Sequence, residues 1–77
     1  MAFYILIDKI SETESEAFYR FYDTGYPDEI GELRLDKATE TIEMTKPSRE
    51  AFFNRASTKI ARHFRDGSLP ESTCWAS

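Results

Sequence analysis

Hydrophobic and polar residues alternate along much of the first 46 residues, and alternation with a period of two indicates β-strands. The opening segment differs, because both of its alternating sets are apolar: Phe3, Ile5 and Ile7 on one, Tyr4 and Leu6 on the other. A strand that is apolar on both faces is expected to be central or covered on both sides. We predict a first strand over about residues 2–10.

Residues 30–46 give the clearest hairpin. Leu33 and Leu35 alternate with charged residues, and Ile42 and Met44 alternate with threonine and glutamate. A polar turn at 36–39 separates the two runs. The pattern predicts strands over about 30–36 and 40–46, with one face in the core and the other exposed to solvent.

Residues 11–25 are open to two interpretations. Ser11 and Glu14 match a helix capping box, and Gly25 would suit the end of a helix. The aromatic run Phe18–Tyr22 instead favours a strand, because aromatic side chains lose rotamer freedom in helices. We predict a strand over about 16–24, joined to the first strand by a turn at 11–15, and keep the helix as the alternative.

A helix is predicted over about residues 49–66. Ser48 is a suitable N-cap residue, and Gly67 followed by Pro70 marks the stop. At about 100° per residue, one side of this helix is apolar and the opposite side is basic. The apolar side holds Phe53, Ala56, Ile60, Ala61 and Phe64, and the basic side holds Arg55, Lys59, Arg62 and Arg65.

These elements predict an α+β fold in one domain, residues 1–77. The expected architecture is a four-stranded antiparallel sheet, a meander, with the C-terminal helix packed on one face (ββββα), and the alternative is βαββα. The tail 67–77 is too short for an independent element, although Leu69 and Trp75 can attach it to the sheet. We expect the core to form where Phe53, Ile60 and Phe64 pack on Leu33, Leu35, Ile42 and Met44.

The composition fits one small globular unit without a disulfide. The chain has 77 residues, 14% of them aromatic, and a single cysteine, Cys74. One cysteine cannot form an internal disulfide, so a reducing compartment is expected. The apolar start has no basic leader and is too short to cross a bilayer. We therefore expect a cytoplasmic protein without a membrane segment.

Charge is divided unequally along the chain, whose formal net charge is −4. Residues 1–45 hold eleven acidic and four basic side chains, a net charge of −7, whereas residues 46–77 hold three and six, a net charge of +3. An acidic sheet argues against general nucleic-acid binding, which depends on neutralising phosphates. The basic helix face, Arg55, Lys59, Arg62 and Arg65, leaves a nucleic-acid-associated regulator as an alternative function.

Residue types that carry catalysis or bind metals are scarce. His63 and Cys74 are the ordinary titrating groups near neutral pH, and a Cys-His dyad also needs a group that orients the histidine. A structural zinc site requires four Cys or His ligands, and the chain has two such side chains. The three glycines are isolated, so no phosphate-binding loop is expected. We expect no enzyme, no catalytic or metal residue and no cofactor.

One helix can cover only one face of the sheet, and this leaves apolar residues without cover. We name Tyr4, Leu6, Phe18, Tyr22 and Trp75 as a candidate interaction surface. A homodimer or an unidentified protein partner would cover it, unless the tail does so. The expected function is a small protein-interaction module of regulatory, antitoxin or immunity type. A small-ligand site between sheet and helix is a further alternative.

Overall fold

Five strands and one helix make up residues 4–76, the part of the chain that the computed structural model describes. They are β1 (Tyr4–Glu12), β2 (Glu16–Asp23), β3 (Gly31–Asp36), β4 (Thr41–Lys46), α1 (Glu50–Arg65) and β5 (Ser72–Ala76). The strands form one antiparallel sheet in the order β4-β3-β2-β1-β5. The α+β class is confirmed. The predicted start of the first strand, at residues 2 and 3, lies outside the described residues.

The ambiguous segment 11–25 is a strand and its turn, so the helical alternative is wrong. Its polar residues make side-chain bonds to the backbone within the β1–β2 turn. The Thr13 hydroxyl accepts hydrogen bonds from the backbone N–H groups of Ser15 and Glu16, at 3.3 and 3.1 Å. Threonine stabilises turns in this way as readily as it caps helices. The polar residues that suggested a helix start therefore belong to a hairpin.

The count of four strands is wrong, because the tail contributes a fifth. β5 pairs with β1 in antiparallel register, with Ile5 opposite Trp75 and Leu6 opposite Cys74. In a four-stranded meander the first strand would be an edge, which its apolar character on both faces does not fit. With β5 added, β1 lies inside the sheet. Five residues were too few to show a period of their own.

The helix begins and ends close to the predicted positions, but its caps differ. Ser48 is not the N-cap: its hydroxyl donates to the Glu29 carbonyl, and Arg49 occupies the N-cap position without a side-chain hydrogen bond. At the C-terminal end, Gly67 adopts a positive φ of 85°, and the N–H of Ser68 donates to the His63 carbonyl at 3.1 Å. This is a Schellman motif, for which glycine is the favoured residue.

The core lies between α1 and the sheet and takes its buried strand residues from β1, β2 and β3, while Ile42 of β4 and Trp75 of β5 pack at its margins. Phe52 is the buried aromatic of the helix, whereas Phe53 and Phe64, predicted to be central, are partly buried. The core contains ten buried side chains: Ile5, Ile7, Ala17, Tyr19, Phe21, Leu33, Leu35, Phe52, Ala56 and Ile60.

The position of α1 explains these differences from the predicted core. Because β5 widens the sheet beyond β1, the helix lies over that side and does not cover β4. Ile42 is therefore only partly buried, and Met44 remains 37% exposed. The predicted apolar side of the helix included Ala56 and Ile60, which are buried, but it left out Phe52, which is buried as well.

Candidate interaction surface

The open sheet face, the side of the sheet away from α1, carries apolar side chains that no second layer of the described chain covers. No helix or strand of residues 4–76 lies over it. Strand registry brings side chains of three strands together there: Leu6 lies opposite both Tyr22 and Cys74, and Tyr4 lies opposite Ala76. We call Tyr4, Leu6, Phe18 and Tyr22 the apolar strip.

The side chains of the strip are accessible to different degrees. Tyr4 is 50% exposed, while Leu6, Phe18 and Tyr22 are half-buried. Half-buried side chains on the uncovered face of a sheet receive cover only from their strand neighbours. The strip therefore leaves apolar area in water that a second layer would remove.

Charged side chains occupy the β3 and β4 part of the open sheet face together with the first residue of β2. The Arg34 guanidinium donates to Glu16 Oε2 at 2.6 Å, to Glu43 Oε1 at 2.8 Å and to Asp36 Oδ2 at 3.3 Å. These four residues form the Arg34 cluster, which has a net charge of −2. The hydrogen bond to Glu16, followed by that to Glu43, raises the pKa of Arg34 above its usual value. The cluster is acidic overall, and this part of the face is unsuited to an acidic partner.

The pair Asp8 and Arg20 lies within the apolar strip, between the Leu6–Tyr22 pair and Phe18. The Tyr22 hydroxyl donates to Asp8 Oδ2 at 3.3 Å, and Arg20 Nη2 lies 3.8 Å from the same oxygen. Both contacts link β1 with β2 across the open sheet face. The Tyr22 ring is therefore held in a defined position, and a partner would meet a preformed surface at this point.

Trp75 does not belong to this surface, contrary to the prediction. It lies opposite Ile5 on the face covered by α1, packs on the core, and has the Arg62 guanidinium 5.4 Å from its ring centroid. Strand alternation places its neighbour Cys74 on the open sheet face instead. The tail extends the edge of the sheet, so the alternative in which it covers the open face is also wrong.

The predicted basic helix face is present along the outer side of α1, but two of its members have partners within the chain. Arg55 Nη1 donates to the Ala51 carbonyl at 3.0 Å, and Arg62 stacks on Trp75. Lys59 is half-buried and Arg65 is exposed. The four side chains share one side of the helix, and two of them, Arg62 and Arg65, line a groove between α1 and β4.

His63 and Cys74 are on different sides of the sheet. His63 Nε2 lies 3.2 Å from the hydroxyl of Thr73, whose strand position faces α1, whereas Cys74 faces the opposite side. A thiol and an imidazole placed in this way do not form a nucleophile–base pair. Within residues 4–76, no three His, Cys, Asp or Glu side chains are grouped as metal ligands.

A groove of about 430 Å³ lies between α1 and β4, and none of its lining residues was predicted to form a site between sheet and helix. It exists because the helix lies toward β5 and leaves β4 uncovered. Its floor and walls are formed by Glu40 and Ile42 from the β3–β4 hairpin and by Phe53, Ser57, Thr58, Ala61, Arg62 and Arg65 from the helix. We call it the α1–β4 groove. Met44, on the same face of β4, was predicted to be buried and is exposed because α1 does not reach it.

No helix in the described part of the chain is long and apolar enough to span a membrane. No protein-family model matches the chain, and comparisons with curated proteins and with solved structures gave no match either.

Proposed function

We propose that this chain is a small protein-interaction module, and that its open sheet face binds a second copy of the same chain. The observation that supports the proposal is the apolar strip, which no element of residues 4–76 covers. Burying exposed apolar area stabilises an association by roughly 25 cal/mol per Å² before the cost of ordering is subtracted.

The dimensions of the face suit such an interface. The molecule measures 34 × 22 × 18 Å, and the two larger dimensions enclose about 750 Å². A standard interface buries about 800 Å² per partner. Two copies packed face to face would thus form an interface of ordinary size only if most of the open sheet face takes part.

The charge distribution favours one arrangement of the two copies. The Arg34 cluster lies to one side of the apolar strip, toward β4. A two-fold axis that runs along the strands through the strip would place the two clusters on opposite sides of the dimer. Two acidic groups then do not face each other, and the strips meet as two sheets packed with nearly aligned strands.

A module of this kind acts by binding and needs no catalytic residues, and a regulatory, antitoxin or immunity role would suit it. The acidic margin of the open sheet face would select against acidic partners, because like charges brought together cost several kcal/mol. A basic partner protein is thus the principal competitor of the second copy for the same surface.

Sedimentation velocity between about 5 and 200 µM tests the proposal, a range in which weak dimers dissociate. The wild type should shift from 9.0 kDa toward twice that mass as the concentration rises. Leu6→Glu, on the apolar strip, should remain monomeric. Asn54→Glu, at an exposed position on the helix, serves as the matched control and should associate like the wild type.

The thiol of Cys74 gives an independent measurement, because it lies opposite Leu6 on the open sheet face. Its rate of labelling by a maleimide should fall as the dimer forms, and Leu6→Glu should abolish that concentration dependence. A 9.0 kDa species at all concentrations would contradict the dimer. So would association that Leu6→Glu leaves intact while the protein stays folded by circular dichroism.

A further inference from the structure

The helix is too narrow to cover the side of the sheet on which it packs. Five strands spaced about 4.8 Å apart place the outer strands about 19 Å from each other, whereas a helix is about 10 Å across. Because α1 lies over β1, β2 and β5 and Leu33 and Leu35 of β3 are also buried, the uncovered width is left above β4, beside the helix. The α1–β4 groove occupies this width.

The groove has an apolar floor and is open along its length. Ile42 lies on the sheet side, and Phe53 and Ala61 lie on the helix side. Met44, 37% exposed, continues the apolar surface along β4. A surface open on one side suits a segment of protein chain better than an enclosed small molecule.

The positive and negative side chains of the groove lie on different walls. Arg62 and Arg65 are both on the helix wall, and Glu40 is at the hairpin. Arg65 is exposed and has no ion pair with a described residue. The helix wall is thus the positive side of the groove. The complementary partner carries its acidic residues on the side that faces α1.

We propose that the α1–β4 groove receives an amphipathic helix of a partner protein. Its apolar stripe would pack on Ile42, Phe53 and Ala61, and acidic residues along one flank would face Arg65. This site lies on the opposite side of the sheet from the proposed dimer surface, so one can fail without the other.

Addition of a strand to the edge of β4 is the competing mode, and the edge is poorly suited to it. The register between β3 and β4 shifts between Glu32 and Leu33, so the β4 ladder is irregular near its end. Lys46 and Pro47 follow directly. Irregular pairing, lysine and proline are the features by which edge strands avoid further pairing. A helix lying in the groove does not need the unpaired N–H and C=O groups of the β4 edge.

The experiment is a selection of displayed 16-residue helical peptides whose exposed faces are randomised, carried out against the full chain. The proposal expects peptides with an apolar stripe and net negative charge. Ala61→Arg fills the groove with a residue of good helix propensity and should weaken their binding at least tenfold. Ala51→Arg, the same change in the first turn and outside the groove lining, should leave their binding unchanged.

Charge reversal gives the second readout. Arg65→Glu should weaken the acidic peptides about tenfold, equivalent to about 1.4 kcal/mol, and improve analogues in which the glutamates are replaced by lysine. Amide chemical-shift changes should centre on Ile42, Phe53 and Ala61. Failure to enrich any peptide overturns the proposal, as does enrichment of basic ones. Equal binding to folded wild type and Ala61→Arg, or shift changes confined to the β4 edge, also overturns it.

Discussion

The hydroxyl of Tyr19 donates a hydrogen bond of 2.6 Å to the backbone carbonyl of Pro70. Tyr19 is buried in β2, and Pro70 lies in the connection between α1 and β5. Lys9 fixes the carbonyls on either side, because its ammonium donates to Leu69 at 3.0 Å and its backbone N–H donates to Glu71 at 2.8 Å. Three successive carbonyls are thus held by β1 and β2, and these bonds position the strand that follows.

Tyr19→Phe should weaken the attachment of β5. The substitution leaves the Pro70 carbonyl without its donor, and we expect the free energy of unfolding to fall by about 1–2 kcal/mol. Amide hydrogen exchange in β5 should accelerate more than exchange in β3. Tyr22→Phe is the matched control, since the Tyr22 hydroxyl makes a longer bond, 3.3 Å, on a half-exposed surface. Equal losses in the two variants would contradict the role assigned to Tyr19.

Stability should fall in acid, because two turn carboxylates have lowered pKa values. Asp36 accepts hydrogen bonds from the backbone N–H groups of Thr39 and Ala38, and the former is the largest cause of its lowered pKa. For Glu12 the largest cause is the hydrogen bond from Lys37, followed by that from Lys9. A carboxylate whose pKa is lowered by folding stabilises the folded state at pH values above its pKa in the unfolded chain, which is about 4.

This stabilisation should therefore be complete above about pH 5 and should decline as the pH falls below about 4. Asp36→Asn keeps an acceptor oxygen but loses the charge, so its unfolding free energy should depend less on pH in this range. Glu14→Gln, in the exposed β1–β2 turn, is the control. Chemical denaturation at pH 7, 4 and 3 measures the difference. Parallel profiles for Asp36→Asn and the wild type would refute this explanation.

Phe52 should contribute more to stability than its neighbour Phe53. Phe52 is fully buried on the side of α1 that faces the sheet, while Phe53 lines the α1–β4 groove. Phe52→Ala should cost about 3–5 kcal/mol, comparable with the whole stability of a small domain. Phe53→Ala should cost less, because part of its ring already meets solvent. Urea denaturation decides the order, and a larger loss for Phe53→Ala would show that the core is centred closer to β4.

Gly31→Ala should destabilise the protein through overpacking. A Cβ at this position would lie 2.5 Å from the ring of Phe21 and 2.6 Å from Cβ of Ser48. Forcing a methyl group into such a site costs about 1–3 kcal/mol. Gly25→Ala provides the comparison, because its nearest neighbour is an Asp23 carboxylate oxygen at 3.3 Å. A lower melting temperature for Gly31→Ala than for Gly25→Ala is expected, and the reverse order would contradict the close packing around Gly31.

The elements with clear periodicity were predictable, and those set by tertiary context were not. The alternation around Leu33 and Ile42 located the central hairpin, and the run Phe18–Tyr22 correctly outweighed the capping signal before it. β5 has five residues, too few for a period to show, and its formation depends on the free edge of β1. An unsatisfied edge is a property of the assembled sheet and is invisible in a local pattern.

The same fifth strand accounts for what was missed at the candidate surfaces. Trp75 could not be assigned to a face before its strand was known, and its neighbour Cys74 took the position next to Leu6. The four strip residues on β1 and β2 lie on one face as the alternation predicted, because alternation within a known strand defines a face. The α1–β4 groove follows from the lateral position of α1, which the helix sequence alone does not specify.

The pairing of β1 with β5 also has a kinetic consequence. Tyr4 lies opposite Ala76, so the pairing joins residues about seventy positions apart, and contacts at such separation slow folding. During synthesis β1 emerges from the ribosome long before β5 does. Until β5 docks, a strand with apolar side chains on both faces has an open edge, which is where misfolding and aggregation begin. The yield of folded protein should therefore be limited by how quickly this last strand docks.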